Sequence, residues 1–340
     1  MQPLAPFQHE RISRDHSAYL DAWRGGSALA VVVGHYFQIF TPSPWIIWGH
    51  LAAGAVMAFF VLSGFFIHKS LSKSVDRPTD FIAARADRIL PPFLAAIALT
   101  IALWAIAPHV FPSGSRALAI PYGRPDFSLH GLAPTLLFVN GFFGGTLSAD
   151  GPLWSLSYEV WYYVLAFGLF LVWSGRRLGW LLLPAALVLT VRNPAFLVLG
   201  LVWAMGFAVS IAHANARLPR IPAWPALILA AALYWNLMYF ELAFGLFFAL
   251  HVANVLRRPA PHVPFLPKTA SFGYTLYVIH FPIMLFAAGC GFPALPSAFV
   301  AVGCAALVGP RLEALKPFAR RRPRTPPTAA PEPAVPVTEP

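Results

Sequence analysis

Ten runs of mostly apolar residues, separated by short polar connections, follow one another along this chain. A helix that crosses a lipid bilayer needs about 20 such residues, and about 17 is the lower limit. Of the 340 residues 58% are hydrophobic and 11% are charged, whereas roughly 25% of the residues of a soluble domain are charged. The sequence therefore predicts an all-α fold, a polytopic transmembrane helical bundle of about ten spans. We place the spans, of which the fifth and seventh are short, at 18–40, 51–69, 90–108, 152–173, 178–191, 195–212, 223–235, 237–256, 271–289 and 294–310.

Basic residues are distributed very unevenly between the two sides of such a bundle. Of the 24 Lys and Arg residues, 21 fall on the side of the N-terminus, and only Arg116, Arg124 and Arg192 fall on the other. Cytoplasmic loops carry an excess of Lys and Arg. We therefore expect an even number of spans, both termini in the cytoplasm, and a multi-pass protein of the plasma (inner) membrane.

Composition also limits the domains and the partners. We expect a cytoplasmic segment at 1–17, the transmembrane domain at 18–310, and a basic, Pro-rich, disordered tail at 311–340. In a chain this apolar, the net charge of +11 marks cytoplasmic loops rather than a surface for nucleic acid. Cys290 and Cys304 lack the spacing of metal ligands, so we expect packing residues and no metal site. The lipid bilayer is thus an expected partner, and nucleic acid is not.

The first span carries ionisable side chains that are costly inside a bilayer. In "LDAWRGGSALAVVVGHYF", residues 20–37, His35 follows Arg24 by eleven residues. It therefore lies about 16 Å further along nearly the same helix face. Arg24 alone could be an anchor at the membrane interface, and His35 could be a buried histidine that is bonded to a neighbour. A functional reading makes His35 a base held deep in the bundle.

The fourth span supplies a carboxylate in "GPLWSLSYEVWYYV", residues 151–164. This helix runs opposite to the first, and Glu159 lies about seven residues from its outer end, at a depth that we expect to match His35. A carboxylate facing a neutral imidazole gives a general base that works near neutral pH. The alternative is that Glu159 only ties helices together by a hydrogen bond.

An arginine pair precedes the third span in "RADRILPPF", residues 85–93. Arg85 and Arg88 lie on one helical face and suit bidentate contacts to phosphate, although plain interfacial anchoring explains them equally well. The Pro91–Pro92 pair is expected to bend or restart the helix. A basic patch about 16 Å from a base suits a long carrier with a phosphorylated head and a reactive end, such as coenzyme A.

Five stretches in this order resemble the acyltransferase-3 family of integral membrane acyltransferases. They are the two quoted for the first and fourth spans, "RADRILPPF", "FFVLSGFFI" at 59–67 and "SFGYTLYVIHFPIM" at 271–284. The resemblance implies that His35 is the catalytic histidine with Glu159 as its carboxylate. It also implies that Arg24, Arg85 and Arg88 bind acyl-CoA. Many members carry a second acidic residue after the glutamate, where this chain has Val160.

The family implies an O-acyltransferase, with acetyl as the acyl group and cytoplasmic acetyl-CoA as the donor. The acceptor would be a hydroxyl of a cell-surface or exported saccharide, bound near the loop at 109–151. Transfer could be direct or could pass through an acyl group on His35. Two alternatives remain open: a proton-coupled transporter, and an enzyme that acylates a small lipophilic metabolite.

Overall fold

The fold was derived from a computed structural model that describes Phe7 and residues 10–41, 45–111, 126–261, 263 and 266–318. Its secondary structure is helical throughout, which confirms the predicted all-α class for the described part of the chain. The helices there are α1 (Arg14–Phe40), α2 (Trp45–Lys73), α3 (Pro78–Val110), α4 (Leu129–Leu136), α5 (Leu153–Trp173), α6 (Gly179–Thr190), α7 (Pro194–Ala214), α8 (Trp224–Ala232), α9 (Leu237–Leu256), α10 (Gly273–Gly289) and α11 (Ala294–Ala314).

Each predicted span coincides with a helix, and α4 is an additional short helix within the predicted loop. Six of the described helices are long and apolar enough to cross a membrane, namely α2, α3, α5, α7, α9 and α11, while α6 and α10 are apolar but shorter. The count of ten spans and the side of each terminus stay predictions. Most of the predicted tail, from residue 319 onward, lies outside the described residues.

The third helix begins earlier than the sequence indicated. It starts at Pro78 and continues through Pro91 and Pro92 without a break, so of the two expected effects of this pair, a bend or a restart, the helix does not show the restart. Prolines are tolerated inside membrane helices because neighbouring groups satisfy the backbone carbonyls that they leave unpaired. As a result, Arg85 and Arg88 lie on the helix itself rather than on a segment before it.

Two glycines let α2 and α7 cross with their backbones nearly in contact. A Cβ atom at Gly206 would lie 1.8 Å from the carbonyl oxygen of Val61, and one at Gly64 would lie 2.1 Å from that of Trp203. Only glycine, which has no side chain, permits this approach. The crossing places Ser63, next to Gly64, between α5 and α7.

The two ends of the bundle differ in charge. We call the end at which α1 begins, α2 ends and α3 begins the basic end, because Arg14, Lys73 and Arg77 lie there. At the opposite end, the loop that precedes α5 packs over the first turns of that helix. Within it, Asn140 is fully buried, accepts a hydrogen bond from Ser157 and donates to the carbonyl oxygen of Leu153 at 3.3 Å. The part of this loop around Asn140 is therefore fixed against α5.

Candidate functional site

A cavity of about 940 Å³ lies between α1, α2, α3, α5 and α10. Its wall extends from Lys73, the last residue of α2, to Val56. Seventeen residues of helix separate these two positions, so the cavity reaches about 25 Å into the bundle from the basic end. It is long enough to admit an extended carrier.

All three predicted carrier-binding arginines line this cavity. Arg24 forms an ion pair with Asp21 at 3.2 Å. The guanidinium carbon of Arg85 lies 6.0 Å from the ring centroid of Tyr163, and that of Arg88 lies 6.0 Å from Tyr274. The fold thus brings together, from α1 and α3, residues that are about 60 positions apart in the sequence.

Cationic side chains outnumber the two carboxylates, Glu10 and Glu159, in the wall of this cavity. Within the described residues, no carboxylate lies at ion-pair distance from Arg85 or Arg88, and the Nε atom of Arg85 is buried without a hydrogen-bond partner. Lys69 and Lys73 add two further cations to the wall. Because a buried cation without a partner is costly, the arrangement favours an anionic ligand.

Glu159 also lines the cavity, where it joins three helices. Its carboxylate accepts hydrogen bonds from the Ser63 hydroxyl at 2.9 Å and from the Tyr163 hydroxyl. Ser63 in turn accepts a hydrogen bond from the Trp203 indole at 3.2 Å. These partners leave Glu159 bonded to α2 and to its own helix, and it forms no hydrogen bond with His35.

The partner of His35 is a second histidine, His280 on α10. The Nδ1 atom of His35 lies 2.8 Å from Nε2 of His280, and Nδ1 of His280 lies 2.9 Å from the carbonyl oxygen of Leu276. A carbonyl can only accept, so in neutral His280 the proton is on Nδ1 and Nε2 accepts. His35 must then donate through Nδ1, which leaves its Nε2 with a free lone pair. His280 is fully buried, whereas His35 is partly exposed.

The predicted pairing of His35 with Glu159 is therefore wrong, because His35 pairs with His280. Ser155 of α5 and Tyr277 of α10 contact each other at 2.5 Å and so set these helices in register. Glu159 follows Ser155 by four residues toward the basic end, and His280 follows Tyr277 by three toward the opposite end, which separates them by about 10 Å along the bundle. The depth estimate failed because the loop before α5 covers Leu153, so α5 begins below the bundle surface.

Ser155 and Tyr277 mark the inner end of the cavity and were not predicted as site residues. Both line the cavity and both are buried. Tyr277 lies one turn before His280, with ring centroids 6.3 Å apart, whereas His35 and His280 themselves are not part of the cavity wall. The last quoted motif contains Tyr277 and His280, but the sequence alone does not show which helix they face.

A buried carboxyl group lies beside this inner end, in the 3-10 helix Ser148–Asp150. Neither oxygen of Asp150 has a hydrogen-bond partner among the described residues, and the group is fully buried. Burial raises the pKa of this carboxyl well above its ordinary value, because the charged form loses its hydration. No three His, Cys, Asp or Glu side chains cluster as a possible metal site in the part of the chain that the structure describes.

Comparison with known proteins gives one match. A family model described as an acyltransferase domain matches residues 17–310, which is nearly the whole described bundle. No curated protein and no solved structure gives a significant match to the chain.

Proposed function

Because the chain belongs to the acyltransferase-3 family and is a multi-pass membrane protein, we propose that it is an O-acyltransferase that takes an acetyl group from cytoplasmic acetyl-CoA. The acceptor in this proposal is a hydroxyl of a saccharide at the cell surface or on its way there. The protein would act in the plasma (inner) membrane, with both termini and the basic end in the cytoplasm.

One observation carries the donor assignment. Arg24, Arg85 and Arg88 converge on a deep cavity in which the two arginines of α3 have no carboxylate partner. Arginine binds phosphate oxygens through planar, bidentate contacts, so these side chains hold the phosphates of the nucleotide end. The arm of the carrier then runs along the cavity toward Ser155 and Tyr277, about one helical turn from the histidine pair.

His35 is the reacting base, and His280 is the residue that positions it. In the direct route, Nε2 of His35 removes the proton of the acceptor hydroxyl while the hydroxyl oxygen attacks the thioester carbonyl carbon. The carbon–sulfur bond then breaks, and the proton passes from His35 to the sulfur to give coenzyme A. In the covalent route, Nε2 attacks the thioester carbon and the carbon–sulfur bond breaks, which releases the coenzyme A thiolate. The acceptor oxygen then takes the acetyl group from Nε2, and the acceptor proton passes by way of the freed Nε2 to the thiolate.

Glu159 has the second of the two roles that the sequence left open, a hydrogen-bonded tie between helices. Its hydrogen bonds to Ser63 and Tyr163 place its carboxylate in the cavity wall, about 10 Å nearer the basic end than the histidines. There it fixes α2 against α5 and places Tyr163 beneath the Arg85 guanidinium. It supports the donor site and does not orient His35.

The acceptor assignment is tested with purified protein, acetyl-CoA labelled in the acetyl group, and two extracts of the producing cell. One extract contains surface saccharides, and the other contains lipophilic small molecules. We expect label in the saccharide fraction, sensitive to mild base as an ester should be, and none when His35→Ala protein is used. Label in the lipophilic fraction alone would mean that the acceptor is a lipophilic small molecule rather than a saccharide, and that the protein is still an acyltransferase. Accumulation of unmodified solute in vesicles, without any transfer of label, would favour a transporter.

A further inference from the structure

The inner end of the cavity carries two hydroxyl groups in direct contact. The Ser155 Oγ and Tyr277 hydroxyl oxygens are 2.5 Å apart, and both side chains line the cavity. We propose that these two hydroxyls bind the carbonyl oxygen of the donor thioester and stabilise the negative charge that forms on it during transfer. This inference rests on the proposed function, because it takes the ligand of the cavity to be an acyl thioester.

The hydrogen bonds of the pair in the free protein are easily exchanged. Ser155 Oγ lies 3.1 Å and the Tyr277 hydroxyl 3.3 Å from the carbonyl oxygen of Pro152. This carbonyl also accepts the backbone N–H of Ser155 at 3.3 Å. Both hydroxyls can therefore turn toward a ligand oxygen without leaving the Pro152 carbonyl unpaired, since a hydroxyl hydrogen rotates to suit its acceptor.

The position of the pair suits an oxyanion in two further respects. Ser155 lies in the first turn of α5, which begins at Leu153, and the N-terminus of a helix carries a partial positive charge. Tyr277 lies three residues before His280, so the bound carbonyl is about 4.5 Å along the bundle axis from the histidine pair. Both side chains are buried, and a hydrogen bond to a developing charge is stronger at a site away from water than in solution.

The chemical step places the charge at this pair. As the acceptor oxygen bonds to the carbonyl carbon, the π electrons move onto the carbonyl oxygen, and the acceptor proton moves to Nε2 of His35. The electrons return when the carbon–sulfur bond breaks, and the sulfur takes the proton. Two O–H donors at the carbonyl oxygen lower the barrier to both steps.

A purely structural role is the competing explanation, because the same contact ties α5 to α10. The two roles differ in what they do to the bound thioester. A structural tie affects stability alone, whereas donors to the carbonyl oxygen polarise the C=O bond and lower its stretching frequency.

The experiment therefore uses infrared difference spectra of acetyl-CoA labelled with ¹³C at the carbonyl, bound to His35→Ala protein so that no turnover occurs. We expect a lower carbonyl frequency on binding, and a return toward the solution value when Tyr277→Phe or Ser155→Ala is added. In the wild-type background, each substitution should lower kcat by about 10²-fold, the cost of removing one oxyanion donor. The affinity for coenzyme A, which has no carbonyl on its sulfur, should stay unchanged.

Tyr162→Phe is the matched control. The Tyr162 hydroxyl is also buried on α5, but it donates to the carbonyl oxygen of Phe196 at 2.7 Å and lies outside the cavity wall. Its removal should leave both kcat and the carbonyl frequency at the wild-type values. If Tyr277→Phe does not fold, Ser155→Ala decides alone.

An unshifted carbonyl in the parent, or a frequency and kcat unaffected by both substitutions, would overturn the inference and leave the proposed function standing. Failure of the parent protein to bind acetyl-CoA at all would instead overturn the donor assignment, and this inference with it.

Discussion

A single hydrogen bond to a backbone carbonyl decides which nitrogen of His35 can react. Because the Leu276 carbonyl fixes the proton on Nδ1 of His280, it is Nε2 of His35 that remains free. Sequence reasoning identified His35 from its spacing to Arg24, but it assigned the wrong partner. Counting residues gives depth along one helix, whereas the choice between Glu159 and His280 depends on the offset between three helices.

Replacing His280 tests this positioning role. His280→Leu removes the acceptor for Nδ1 of His35, so the tautomer and the ring orientation are no longer held, and kcat should fall by about 10²-fold. His280→Gln keeps a side-chain oxygen that can accept from His35 and should recover part of the loss. Coenzyme A binding, followed by calorimetry, should be equal in the two variants and the wild type. Equal kcat values for the Leu and Gln variants would contradict the role.

The arginines of α3 are expected to act on donor binding rather than on chemistry. A charge-assisted hydrogen bond is worth about 1.5–3 kcal/mol, so Arg85→Ala or Arg88→Ala should weaken coenzyme A binding by about tenfold or more. Arg177→Ala removes an exposed arginine between α5 and α6 and should leave the affinity unchanged. Titration at two salt concentrations would add to the test, since the affinity of the wild type for coenzyme A should fall more steeply with salt than that of Arg85→Ala or Arg88→Ala. Equal affinities of all the proteins would return Arg85 and Arg88 to a role as membrane anchors.

For the helices, the sequence predicted which ones exist better than it predicted where each one begins and ends. All ten apolar runs are helices, because hydrophobic length is a strong signal. The start of α3 at Pro78 lies twelve residues before the predicted span, because the span was placed on the apolar run alone, and polar residues such as Arg85 and Asp87 precede that run. Gly64 lies in the quoted stretch "FFVLSGFFI", but the sequence did not indicate that Gly206 of α7 is what this part of α2 packs against.

Adding one methyl group where α2 and α7 cross should clearly lower the stability of the protein. Gly206→Ala would place Cβ 1.8 Å from the Val61 carbonyl oxygen, so the helices must separate, at a cost of about 1–3 kcal/mol. Gly303→Ala on the exposed face of α11 meets nothing within 4 Å and should leave stability unchanged or raise it by up to about 1 kcal/mol. Thermal unfolding in detergent compares the two. A Gly206→Ala protein as stable as the wild type would contradict the close crossing.

The 3-10 helix Ser148–Asp150 predicts a pH dependence of stability. Burial raises the pKa of the Asp150 carboxyl, so the folded protein keeps this proton when the unfolded chain has released it. The resulting stability is fully present below the ordinary pKa and is lost as pH rises through the raised one. Between about pH 5 and pH 8, the wild type should therefore lose stability relative to Asp150→Asn.

Asp126→Asn is the control for this titration. Hydrogen bonds from Ser128 lower the pKa of the exposed Asp126 carboxyl, so its contribution is lost only as pH falls below the ordinary value. Over the higher range, the Asp126→Asn and wild-type curves should run parallel. If the Asp150→Asn curve is also parallel to the wild-type curve, Asp150 is not buried as described.

For the whole molecule, charge and hydropathy predicted a membrane bundle with one basic end, and the three arginines of that end do meet in one cavity. The residues that link the end of this cavity to His35, namely Ser155, Tyr277 and His280, lie in two of the quoted stretches. Their contacts depend on how α1, α5 and α10 pack against one another, which the sequence does not show. In the proposed function, arginines hold the carrier at one end of a deep cavity, and His35 reacts beyond the other end.

The most direct measurement is the release of free thiol from acetyl-CoA by purified protein supplied with surface saccharide, with wild type and His35→Ala side by side and coenzyme A binding measured in both. We predict saccharide-dependent thiol release by the wild type, none by His35→Ala, and equal binding by the two. Equal thiol release by both proteins would contradict the role of His35, and the absence of both binding and release in folded wild type would contradict acyl-CoA as the donor.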